Sequence, residues 1–118
     1  MAWEHAALRW DQGGEMEARL AGLPADAVVA LSSEGALFDY GSDAEITALL
    51  RLLRARRPDC PVVGTISRSD GPGGDFNREN LARVVPRSPE AMRALANGTG
   101  WKWEQGVERP LFAVFRLS

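Results

Sequence analysis

At 118 residues, 45% of them hydrophobic and 25% charged, the chain has the size and balance of one globular domain, residues 1–118, with a core of its own. A formal net charge of −2 gives no electrostatic basis for a nucleic-acid or anionic-membrane partner. One cysteine excludes an internal disulfide and one histidine beside it excludes a structural zinc site, so no metal is expected. No apolar run approaches the roughly 20 residues of a membrane span and no signal peptide is visible, so the expected location is cytoplasmic.

In chain order, Ala2–Leu8 is short and ambiguous, with a strand through Trp3 as one reading. Gly13-Gly14 reads as a break, and Met16, Leu20 and Leu23 then fall at helical spacing before Pro24. Ala27–Leu31 is an unbroken apolar run, the pattern of a strand buried on both faces. Ser42 and Glu45 form a capping box ahead of the stripe Ile46, Leu49, Leu50 and Leu53, with Arg51, Arg54, Arg56 and Arg57 towards the helix C-terminus and Pro58 as the stop. Pro61–Ser67 reads as a second apolar strand, left through a loop at Arg68–Asp75 rich in Gly, Pro and Asp. Ser88 and Pro89 start a further helix, with Ala91, Met92 and Leu95 on its inner side and Gly98 at its end. Two strands close the chain, one around Trp101, Trp103 and Val107 and one over Leu111–Leu117, with a bend at Arg109-Pro110. A strand, a helix and a strand in succession imply a parallel pair. The expected fold is therefore α/β: a three-layer, mostly parallel sheet with an antiparallel C-terminal strand pair.

The order of these parts carries a resemblance. DAVVALSSEGALFDYGSD looks like the fourth strand and following loop of a class I S-adenosylmethionine-dependent methyltransferase, ALLRLLRARRPDCPVVGTISR like its next helix and fifth strand, and SPEAMRALANGTGWKWEQGVERPLFAVFRLS like its last helix and antiparallel end strands. From Ala25 to Ser118 the chain thus resembles the C-terminal half of that family, a partial Rossmann-like fold. The family's G-x-G-x-G turn and the acid ending its second strand have no counterpart here. Gly98-Thr99-Gly100 follows a helix and reads as a C-cap, and Gly71-Pro72-Gly73-Gly74 has no helix start close behind it. WEHAAL, Trp3–Leu8, is matched to the family's third strand, which would bring Ala6, Ala7 and Leu8 to the cofactor's adenine.

In open α/β sheets ligands sit beyond the carboxyl ends of the parallel strands, here Ser32–Glu34 and Thr65–Arg68. The resemblance implies that Glu34 acts as general base towards a methyl acceptor, and that Ser32, Ser33, Phe38, Tyr40, Ser67 and Arg68 bind that acceptor. Beside this stands a plainer reading. Ser32 and Ser33 end a strand and satisfy loop backbone, Phe38 packs under the next helix, Arg68 and Asp70 form a solvated pair, and Trp101 and Trp103 belong to the core. One histidine and no Ser-His-Asp order speak against nucleophilic hydrolysis.

The expected function is a methyltransferase-like domain not competent for methyl transfer alone, with S-adenosylmethionine bound only through a complementing N-terminal-half chain. The alternatives are a non-catalytic partner or dimerisation module, and a receiver- or flavodoxin-like signalling domain. The strand at Ala27–Leu31 lacks the neighbour the family fold gives it, so a homodimer through that edge is expected, with a fold-back of Trp3–Leu8 as the other repair.

Overall fold

The computed structural model describes residues 4–7, 9–10 and 13–118. The best-marked helix, α3 (Asp43–Arg56), starts where its capping residues demand: Ser42 Oγ accepts from Glu45 N at 3.1 Å and donates to Glu45 Oε1 at 3.0 Å. Its apolar stripe Ile46, Leu49, Leu50 and Leu53 is buried, and Arg57 N–H closes the far end on Leu53 O at 2.7 Å. Helix α5 (Pro89–Gly98) is capped by Ser88 Oγ, which accepts from Ala91 N at 3.1 Å. It ends in a Schellman turn: Gly100 adopts φ +87°, its N–H reaches Asn97 O, and Trp101 N–H reaches Ala96 O. Gly98-Thr99-Gly100 is thus a helix cap, as its place after a helix indicated. Met92 and Ala96 form the buried side of α5, whereas Ala91, expected inside, is exposed.

The sheet has four strands in the order β1-β2-β4-β3, with β1 Leu31–Ser33, β2 Val62–Ser67, β3 Trp103–Glu108 and β4 Phe112–Leu117. β1 runs parallel to β2, in register Leu31↔Val62 to Ser33↔Gly64, and β4 is antiparallel to both its neighbours. Three strands therefore point one way and β4 alone opposes them, which gives the mixed α/β sheet with an antiparallel C-terminal pair. One face carries Val62, Ile66, Ala113, Phe115 and Leu117 into a core shared with Ile46, Leu50, Met92 and Trp101. On the other face Val63 and Phe112 remain 42% and 43% exposed. Trp101 lies in the core with its indole N–H on Leu50 O at 2.9 Å, and Trp103 stacks on Phe115 at 4.9 Å.

Three expectations are corrected. The first strand is not Ala27–Leu31: residues 27–30 stay outside the sheet, and Val28 is 95% exposed. The reason lies in the partner strand. Leu31 N–H bonds to Pro61 O at 2.9 Å, and before Pro61 the chain turns away, closed by Cys60 N–H on Arg57 O. Residues 27–30 thus have no β2 backbone beside them, and β1 is an edge of the sheet. Arg57 instead donates to the carbonyls of Leu23, Pro24, Ala25 and Ala27 at 3.0–3.4 Å. Of the fold-back segment, residues 4–7 lie in no strand, while Trp3 and Leu8 fall outside the described residues.

The second correction is α4 (Gly71–Asn80), a helix where a loop was expected. Gly and Pro are poor helix formers, so tertiary contact must decide. A Cβ on Gly73 would lie 1.5 Å from Pro110 O, and one on Gly74 2.3 Å from the Ser69 backbone. The missing side chains let α4 seat on the β3–β4 turn, and buried Asn77 secures it by donating to Arg68 O at 2.9 Å and Leu111 O at 2.8 Å. Third, α1 (Gly13–Ala21) takes in the glycine pair read as a break, and Leu23 falls outside it.

Gly64 on β2 meets the centre of the core: a Cβ there would lie 2.6 Å from Phe115 Cζ and from the Phe38 ring. These two rings pack edge to face at 4.9 Å, so neither retreats freely. Gly64→Ala is expected to cost about 1–3 kcal/mol by overpacking. The measurement is urea unfolding of both proteins, read as a lower midpoint with an unchanged slope.

Candidate functional site

The carboxyl ends of β1 and β2 meet, as neighbouring parallel strands require. Ser33 Oγ accepts from Leu37 N at 3.2 Å, which starts the one-turn helix α2 (Leu37–Tyr40). Gly35 takes φ +70° in the turn between them and donates its N–H to Thr65 Oγ1 at 2.9 Å. The tip is thereby pinned to β2 two residues before that strand ends.

Two charged side chains that sequence reasoning passed over hold the junction. Asp39, 8% exposed, accepts from Ser67 N at 2.8 Å and from Ser67 Oγ at 3.2 Å. Arg87, 4% exposed, donates to Phe38 O at 2.8 Å, Gly41 O at 2.7 Å and Asp43 Oδ1 at 2.8 Å, and its own N–H reaches Ser67 O at 2.9 Å. The loop after β1 and the segment after β2 are thus sewn together by side chains from each. Burial raises the Asp39 pKa above the ordinary carboxylate range, while the Ser67 hydrogen bonds and the Arg87 charge pull against that rise. In sequence, the only signals were an acid inside an aromatic turn, Phe38-Asp39-Tyr40, and an arginine between a proline and a helix cap.

The expected site residues divide. Ser32 and Glu34 are exposed at the strand tip, and Ser67 is half-buried on Asp39. Ser33 is buried with its hydroxyl occupied by Leu37 N. Phe38 is 0% exposed and packs on Phe115, so its ring belongs to the core and is corrected out of the acceptor-binding set. Tyr40 is half exposed and lines a cavity of about 350 Å³ with Arg9, Trp10 and Glu45. Arg68 is gripped by Asp70 through two bonds at 2.9 and 2.7 Å and donates to Arg109 O at 3.2 Å; this pair lines a second cavity, beside α5 and β3. The two segments expected to share a pocket do adjoin, but the cavities of Tyr40 and Arg68 have no residue in common. At the junction itself Gly35 packs closely on the clasp: a Cβ there would sit 3.1 Å from Asp39 Oδ2.

Neither glycine cluster forms a cofactor cradle. Gly98–Gly100 is spent on the α5 cap, and Gly73 and Gly74, although they follow a strand and open a helix, are filled by protein backbone. Ala6 is half-buried, Ala7 is exposed, both lie outside any strand, and Leu8 falls outside the described residues. Among the described residues no group of three His, Cys, Asp or Glu is placed to hold a metal ion, and no helix is long and apolar enough to cross a membrane.

Solved structures share this architecture. The chain superposes on the pyocyanin biosynthetic protein PhzM (TM-score 0.62, 17% identity, 83% of this chain and 32% of that one). It also superposes on the methyltransferase CalO6 (TM-score 0.60, 19% identity, 84% and 38%) and on human N-acetylserotonin methyltransferase in complex with SAM (TM-score 0.57, 15% identity, 75% and 28%). At these identities the likeness establishes the fold alone, a mixed α/β sheet of partial Rossmann-like type, and the chain spans about a third of the length of these proteins. No family model and no curated protein matches the sequence.

The Asp39 carboxyl makes the junction sensitive to pH. Its folded-state pKa lies above the unfolded value near 3.8, so its contribution to stability is full below that value and is lost as pH rises through the folded pKa. Asn in its place keeps an acceptor for Ser67 N and offers a donor to Ser67 Oγ. Asp39→Asn is therefore expected to gain stability relative to the native chain as pH rises from about 4 to neutrality. Paired urea unfolding curves across that range give the difference; a difference that does not change with pH would contradict the assignment.

Proposed function

We propose that this chain is the acceptor-side portion of an S-adenosylmethionine-dependent methyltransferase, incompetent for methyl transfer by itself and supplied with cofactor by a complementing chain. The observation that carries the reading is the fold likeness to two methyltransferases, over 75% and 84% of this chain and only 28% and 38% of theirs. In this reading Glu34, exposed at the carboxyl end of β1, takes the acceptor's proton, and Ser32 and Tyr40 hydrogen-bond the acceptor. Ser33 and Ser67 serve by holding the tip in place, and Arg68 by bracing the segment after β2 against the β3–β4 turn, since their polar groups already have protein partners. The buried thiol of Cys60 suits a reducing, cytoplasmic setting. Calorimetric titration of the chain with S-adenosylmethionine is expected to give no binding isotherm; micromolar affinity for the chain alone would overturn the need for a complementing chain.

A second reading, a non-catalytic dimerisation module, is favoured by the edge. β1 pairs only with β2, and the apolar residues 27–30 beside it are outside the sheet. Such an edge offers unpaired backbone groups to a second copy or to the complementing chain. Val29 packs against the core, so the informative substitution is at Val28, 95% exposed. In this reading the native chain scatters light as a dimer and Val28→Lys as a monomer, with unchanged circular dichroism. A native chain that stays monomeric at all concentrations would exclude self-pairing.

A further inference from the structure

A cavity of about 420 Å³ lies between the first turn of α5 and β3, where Glu90 and Arg93 face Trp103, Gln105 and Glu108. Its volume is that of a small-molecule site. The β3–β4 ladder is irregular along the cavity wall. Gln105 pairs with Phe115 and Glu108 with Ala113, so β3 uses three residues where β4 uses two. Gly106 occupies this bulge, where a Cβ would come within 2.8 Å of Val114 O. In a regular ladder Val107 would oppose Ala113 and take the α5 side. The bulge gives that place to Glu108 and leaves Val107 half exposed. The bulge thus places a carboxylate, not an apolar side chain, at the cavity wall.

The charges in the cavity are unevenly engaged. Arg68 is satisfied by Asp70 and by Arg109 O. Arg93, Glu90, the Gln105 amide, the Trp103 indole N–H and the Glu108 carboxylate make no hydrogen bond among the described residues, and Glu108 lies near enough to the Arg68–Asp70 pair to act on the Arg68 charge. Trp103 is steadied by its stack on Phe115, at 4.9 Å and 15° between planes. The cavity therefore offers one open cation, two open carboxylates, a neutral amide and a fixed aromatic surface. An anion would face two carboxylates, and a simple cation would leave Arg93 unserved.

We propose that this cavity binds a small zwitterion, a free α-amino acid with an apolar or aromatic side chain. Its carboxylate meets Arg93, its ammonium meets Glu108 and Glu90, and its side chain lies against Trp103. The proposal is independent of methyl transfer and of any complementing chain, so it stands or fails separately from them.

The probe is L-phenylalanine, titrated into the ¹⁵N-labelled chain with the Trp103 indole and Arg93 Nε–H resonances as reporters. Phenethylamine and 3-phenylpropionate, each lacking one charge, are titrated alongside. Saturable shifts at both reporters are expected with L-phenylalanine. Affinity is expected to fall about tenfold or more for either analogue, and likewise for L-phenylalanine with Arg93→Gln, read at Trp103, and with Glu108→Gln. Both side chains are exposed, so these variants keep the fold, which circular dichroism verifies. Absence of a saturable shift at Trp103, equal binding of the singly charged analogues, or full affinity in both variants would overturn the proposal.

Discussion

The structure depends on how the ends of two parallel strands are joined. β1 is only three residues long and has one neighbour, so its ladder is too short to hold the following loop by itself. Asp39 and Arg87 make up the difference. One carboxylate takes both polar hydrogens of Ser67, and one guanidinium takes the carbonyls of Phe38 and Gly41. Burying these charges is costly, and for Asp39 the hydrogen bonds and the Arg87 charge offset that cost only in part, so burial leaves its pKa raised. No buried polar side-chain atom among the described residues lacks a partner.

This junction also places the core. With α2 held against β2, Phe38 is driven between Gly64 and Phe115, and the aromatic stack continues to Trp103. Phe38, expected from the sequence at the acceptor site, is thereby the keystone of the interior. The exposed tip is left to Ser32 and Glu34, with Tyr40 turned towards Trp10 and Arg9. Core and candidate site share one loop, and alternate positions of that loop serve one or the other.

The likeness to methyltransferases and the open edge belong together. A strand with a single partner and an exposed apolar approach is a poor end for a sheet. The structures that share this architecture are more than twice its length, since 75–84% of this chain matches only 28–38% of theirs. The proposal of a second copy rests on this edge, and the proposed complementing chain would meet the same edge. They differ in whether the tip at Glu34 ever meets a methyl donor.

Where signals were local, the sequence by itself determined the structure. Ser42 with Glu45 and Ser88 with Pro89 set two helix starts, Gly100 set a helix end, and the alternation in Leu111–Leu117 set the buried face of β4, because caps and periodicity act within a few residues. The neighbourhood of Ser32–Glu34 and Ser67 was likewise legible, since a helix between two strands forces them parallel. The tertiary structure decided what depends on residues distant in sequence. The length of β1 followed from where the chain turns before Pro61, α4 formed because Pro110 and Ser69 leave no room for side chains at Gly73 and Gly74, and Asp39 became a clasp because Ser67 arrives beside it. Glu108 reached a cavity only through a bulge at Gly106. Each of these is settled by which backbone passes within a few ångströms, and that proximity exists only once the sheet has formed.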